Sequence, residues 1–96
     1  MTVRDQVRAM REAISRTAAA FGASHVRLFG SAARGDDRDD SDVDFLVTLE
    51  PGRTLLDLAR LEEQLEKLLG RRVDVVTEKA LQEPVRAAAL REAVLV

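Results

Sequence analysis

Leu28-Phe29-Gly30-Ser31-Ala32-Ala33-Arg34-Gly35, followed by Ser41-Asp42-Val43-Asp44-Phe45-Leu46-Val47, is the stretch that decides how this chain folds. An apolar run leads into Gly30-Ser31, ten residues separate Ser31 from Asp42, and Val43, Phe45, Val47 and Leu49 then recur at every second position. A period of two marks a strand, so both motifs stand at strand ends. Glycine lets the backbone approach a phosphate closely, and a serine hydroxyl with turn N–H groups can hydrogen-bond its oxygens. On a strand Asp42 and Asp44 would project from one face, where their oxygens can converge on a single hard cation. Such a cation bridges nucleotide phosphates and offsets charge in the transition state of phosphoryl or nucleotidyl transfer. Taken singly, Gly-Ser reads as a strand-ending turn and Asp-x-Asp as a solvated loop. Their spacing between two apolar strands favours a site.

The rest of the composition narrows the classes. At 96 residues the chain is expected to be one domain, residues 1–96, with a single core built from Leu, Val and Ala, since its only aromatics are three phenylalanines. Fifteen basic against 17 acidic residues leave a net charge of -2, which argues against direct binding of extended nucleic acid by broad phosphate neutralisation. No cysteine and one histidine exclude a disulfide framework and the usual zinc centres, so a metal here would be oxygen-bound. The N-terminus mixes charges with apolar residues, and no apolar run reaches membrane-spanning length. A cytoplasmic location is the expectation.

Thr2 and Asp5 resemble a capping box, and Val3, Val7, Met10, Ile14, Ala18 and Phe21 follow at helical spacing, predicting one helix that Gly22 stops. A strand over 24–29 follows, then a helical turn over Ser31 to Arg34, and then a solvated loop carrying Asp36, Asp37, Asp39 and Asp40. A second strand over 42–49 ends at Glu50-Pro51-Gly52. Thr54 and Asp57 open another helix, with Leu55, Leu58, Leu61, Leu65 and Leu68 on one face and Glu63 able to pair with Lys67 on its polar side. Gly70 ends it, a third strand covers 72–77, and Pro84 suits the first turn of a last helix running through Val94. The apolar tail Val94-Leu95-Val96 either tucks against the core or meets a partner.

This order predicts an α+β fold with a small mixed sheet of about three strands and helices packed mainly on one face. The first two strands must be antiparallel if neighbours, because Gly30 ends one and Asp42 starts the other. The helical crossover makes the second and third parallel. Asp74 then falls on the carboxylate side, near the same end. It reads equally as a third converging carboxylate and as a charge on an exposed strand face. His25 reads as a packed or half-exposed structural residue, and Arg71, Arg72 and Lys79 as surface charge.

The two quoted segments together with Arg72-Val73-Asp74-Val75-Val76 resemble the minimal nucleotidyltransferases of the DNA polymerase β-like superfamily over nearly the whole chain. The resemblance implies that fold, with Gly30 and Ser31 as the nucleotide-phosphate turn and Asp42 and Asp44 as the metal-binding catalytic pair. It makes Asp74 the third acidic residue, a base or metal ligand that activates the acceptor hydroxyl. Arg34 matches the nucleotide-binding motif's continuation, either touching phosphate or bracing the acidic loop. Mg²⁺ or Mn²⁺ with a nucleoside triphosphate, ATP, is implied. Stand-alone members of this size resemble antitoxins paired with HEPN-domain ribonuclease toxins, which transfer AMP to a toxin hydroxyl, commonly a tyrosine. The alternatives are a non-catalytic antitoxin acting by occlusion and a nucleotidyltransferase acting on a small molecule or an RNA end. A homo- or hetero-oligomer is compatible with each.

Overall fold

A computed structural model describes residues 2–38 and 41–96. Its elements run α1 (Val3–Ala9), α2 (Arg11–Ala20), β1 (Ala23–Phe29), α3 (Ser31–Arg34), β2 (Val43–Leu49), α4 (Leu55–Leu69), β3 (Val73–Thr77), a 3₁₀ turn (Glu78–Ala80), α5 (Val85–Glu92) and β4 (Val94–Leu95). The strands form one mixed sheet in the order β3-β2-β1-β4. β1 is antiparallel to β2, and β2 is parallel to β3, as the connections require.

One side of the sheet carries the main core. Val43, Phe45 and Val47 of β2 and Val73 and Val75 of β3 pack with Val3 and Val7 of α1, Ile14 and Ala18 of α2, and Leu58, Leu61, Leu65 and Leu69 of α4. Each set recurs at the period of its own element, so strand and helix offer one apolar face to the other. Ile14 is fully buried. Ile14→Val, which removes a single methylene there, is expected to cost about 1 kcal/mol and to lower the melting temperature by roughly 4–8 °C, checked by thermal unfolding.

The helix starts were legible. Thr2 Oγ1 accepts from the Asp5 N–H at 3.0 Å while Asp5 Oδ2 accepts from the Thr2 N–H at 3.3 Å. At α4, Asp57 Oδ2 accepts from the Thr54 N–H at 2.9 Å. Gly70, in the left-handed conformation, ends α4. The Glu63–Lys67 pair forms at 3.9 Å on the exposed side.

Four expectations are corrected. The first helix is two, broken at Met10, whose N–H bonds to both Gln6 and Val7 carbonyls. A one-residue interruption leaves the apolar spacing intact, so periodicity does not reveal it. On α4 the buried stripe ends in Leu69, whereas Leu55 is 81% exposed and Leu68 only partly buried. The last helix stops at Glu92, and the tail forms a fourth strand: Leu28 and Arg27 of β1 face Val94 and Leu95, and the Val96 N–H donates to the Val26 carbonyl at 3.0 Å. Finally, the carboxylate-bearing side of the sheet is not open along its length. Leu46, on the parity of Asp44, is fully buried, Ala89 of α5 is buried, and both stand outside the main cluster. α5 packs against β1 on that side.

Candidate active site

The turn after β1 and the start of β2 meet in space. Phe29 faces Asp44 across the antiparallel pair, and Asp44 faces Asp74 across the parallel one. Gly30, one residue beyond Phe29, takes φ 73 and ψ -151, a region open essentially to glycine alone. It lies so close to the neighbouring carboxylate that a Cβ there would stand 2.5 Å from Asp44 Oδ2. Gly30, Asp44 and Asp74 thus form a row across three strands at one end of the sheet. Ser31 opens the short α3, and Ala32 and Ala33 anchor that turn in the core.

Asp42 does not lie on the strand. β2 begins at Val43, whose N–H donates to the Arg72 carbonyl at 2.9 Å, and Asp42 stands just before it, exposed, with Oδ1 3.8 Å from Arg72 Nε. Arg71 braces the same connection: its Nη1 reaches the carbonyls of Arg38 and Ser41, each at 3.4 Å. Asp39 and Asp40 lie outside the described residues.

The row is electrostatically unbalanced. Burial first, then the like charges of Asp74 and Asp42, push the Asp44 carboxyl from its ordinary 3.8 up to about 6, against a smaller opposing pull from Arg34. Glu62 of α4 is also raised, chiefly by burial and then by Asp74 and Glu66, although it accepts from the Val75 N–H. Among the described residues no three His, Cys, Asp or Glu side chains are gathered to hold a metal ion by themselves. The expected convergence of Asp42, Asp44 and Asp74 on one point is therefore not preformed. Three carboxylates repel one another, and Asp42 has found Arg72.

Comparison with known proteins identifies the family. The model of the nucleotidyltransferase domain family matches residues 7–96. The chain belongs to that family. It is 46% identical over 76 residues to the protein adenylyltransferase MntA of Thermococcus cleftensis, covering 79% of this chain and 77% of that one. A solved chain described as a minimal nucleotidyltransferase superposes with a TM-score of 0.88 at 52% identity, over 100% of this chain and 97% of that chain. A mutant MntA-HpeT toxin–antitoxin structure matches with a TM-score of 0.71 over 90% of this chain and 68% of that chain; at 15% identity it shares the fold.

The remaining side chains of this nucleotidyltransferase sort by what they touch. Arg34 sends Nε to Asp36 Oδ2 at 3.3 Å and Nη1 to Glu92 Oε2 at 2.9 Å. Bracing of the acidic loop is thus real, and the second brace, Glu92, went unread because 58 residues separate it from Arg34. Glu62 was likewise unread, lying on the helix flank beside the outer edge of β3. Beside it Glu66 Oε2 accepts from the Val73 N–H at 3.1 Å and occupies an edge donor. His25 is exposed rather than packed. It sits at φ 50 where the β1–β2 register shifts. A cavity of about 520 Å³ lies at the far end of β2 and β3, between the Glu50–Arg53 turn, Thr77 and Arg86. It is remote from Asp44 and Asp74 at the other end of those strands. Among the described residues no helix is long and apolar enough to cross a membrane.

Proposed function

We propose that this nucleotidyltransferase is a metal-dependent antitoxin that moves AMP from ATP onto a hydroxyl, a tyrosine, of a cognate HEPN-domain toxin. The observation that carries the reading is the contact of Gly30 with Asp44 beside Asp74. It sets a turn suited to phosphate against a row of carboxylates whose mutual repulsion Arg72 and Arg34 offset only in part. The 46% identity to a protein adenylyltransferase supports a protein acceptor. The chain works as a single cytoplasmic domain, residues 1–96, and the acceptor's recognition surface comes from the partner in a hetero-oligomer.

The donor set suits Mg²⁺ or Mn²⁺. Asp42, Asp44 and Asp74 offer only hard carboxylate oxygens, and two or three of them leave coordination positions for phosphate oxygens. A divalent cation, when bound, neutralises triphosphate charge that these carboxylates would otherwise repel. The turn at Gly30 and Ser31 binds phosphate oxygens, and Arg34 adds a positive field beside Asp44. Asp74, exposed at the end of β3, accepts the proton of the acceptor hydroxyl. The hydroxyl oxygen then bonds to the α-phosphorus in line, the bond from that phosphorus to the β-phosphate oxygen breaks, and pyrophosphate leaves with the bonding pair.

The test incubates the protein with a candidate HEPN partner and ATP labelled at either the α- or the γ-phosphate. Label from the α position should remain on the partner, γ label should not, and intact mass should rise by whole AMP units that are lost when the acceptor tyrosine becomes phenylalanine. Toxin neutralisation without transfer, surviving Asp42→Ala with Asp44→Ala, would instead establish occlusion.

A further inference from the structure

The last helix reaches Arg34 through Glu92. Arg34 ends α3, one helical turn beyond Gly30, and its guanidinium is held at two corners, by Asp36 at Nε and by Glu92 of α5 at Nη1. An arginine has five N–H donors, so a guanidinium fixed this way keeps Nη2 for a further acceptor. α5 does not need the pair to stay in place. Ala89 is buried, Arg86 Nη2 lies 2.6 Å from Glu78 Oε1, and β4 continues the chain into the sheet. With 46% and 38% of the two side chains exposed, the ion pair adds little to stability. Its effect is on where the guanidinium points.

Without Glu92, Arg34 keeps Asp36 as its bonded anion, and Asp44 already feels its charge. A released guanidinium would swing toward Asp44, cover it, and lose the orientation a phosphate needs. Resting on the nucleotidyl transfer reading, we infer that Glu92 is a positioning residue: it holds Arg34 clear of Asp44 with one edge turned to the nucleotide's phosphates. A prepositioned charged fork loses less freedom when it binds, so the benefit falls on nucleotide affinity rather than on the chemical step.

The experiment measures KM for ATP, turnover at saturating ATP, and the Arg34 Nε–H resonance by NMR in the full chain with Mg²⁺. Glu92→Ala should raise KM about three- to five-fold and leave turnover within about two-fold. It should also shift or broaden the Arg34 signal. Glu92→Gln keeps the acceptor oxygen and should recover most of the lost affinity. Arg34→Ala with Glu92→Ala should match Arg34→Ala alone, because Glu92 acts only through that side chain. An unchanged or lowered KM in a folded Glu92→Ala protein overturns the inference, the second result showing that Glu92 competes with phosphate. Wild-type protein that binds no ATP overturns the transfer reading and this inference with it, whereas active wild type with an indifferent Glu92→Ala sinks this inference alone.

Discussion

Asp44→Asn should abolish nucleotidyl transfer while making the protein more stable at pH 7.5. The activity loss is expected to be at least about a thousand-fold, because the substitution removes one of the proposed cation-binding oxygens and with it several kcal/mol of charge stabilisation. Stability moves the other way. Native Asp44 holds its proton up to about pH 6, against 3.8 ordinarily, so between those values the unfolded chain releases a proton that the folded one retains. The Asp44 contribution to stability therefore falls as pH rises from about 4 to about 6 and is level above that. Taken whole, the displacement would correspond to about 3 kcal/mol, and because Asp44 is half-buried the expected gain on neutralising it is nearer about 1 kcal/mol. Melting curves across pH 3.5–8 should show a fall in stability between about pH 4 and 6 that is steeper in the wild type than in the variant, where Glu62 still contributes. Added Mg²⁺ should raise the wild-type melting temperature above pH 6 and leave Asp44→Asn unmoved. A variant that keeps a tenth of the activity, or gains as much from Mg²⁺ as the wild type, would remove Asp44 from the centre of the site.

Gly30→Ala carries the second large effect, and it separates backbone strain from site geometry. At φ 73 and ψ -151 an alanine is strained by roughly 1–3 kcal/mol wherever its methyl points. Here the methyl also meets Asp44 Oδ2 at 2.5 Å, so the carboxylate must rotate away. A flexible oxygen can move at small energetic cost to the fold, but the row facing the phosphates is then broken. A displacement of about 1 Å in a catalytic group costs on the order of a hundred-fold in rate. The expected result is a lowered melting temperature with about a hundred-fold lower AMP transfer in protein that remains folded below the transition. A stability loss with full activity would mean that the close approach serves the turn alone.

Much of this was legible because it is local. Capping at Thr2 and Thr54, the glycine stop of α4 and the period-two run of β2 are written within a few residues of where they act. The mixed sheet followed from the meeting of Gly30 with the start of the second strand and from the helical crossover, and strand parity put Asp74 on the face of Asp44, to which the register then pairs it. The break at Met10 was silent because it conserves the apolar spacing. The strand at Val94–Leu95 was silent for another reason: a two-residue apolar segment has no period, and its conformation is decided by the β1 edge it pairs with.

By itself the sequence determined most of the elements and the candidate residues for a phosphate turn and a carboxylate set, since residue type and spacing limit which backbone shapes and which metal-binding oxygens are available. Tertiary structure alone decided the electrical state of the site. Asp44 is pushed toward neutrality because folding buries it among Asp42 and Asp74, and Arg34 is tethered because α5 returns across the sheet to bring Glu92 within 2.9 Å. Both depend on through-space fields and on side chains far apart in the chain, and neither leaves a periodic mark on it.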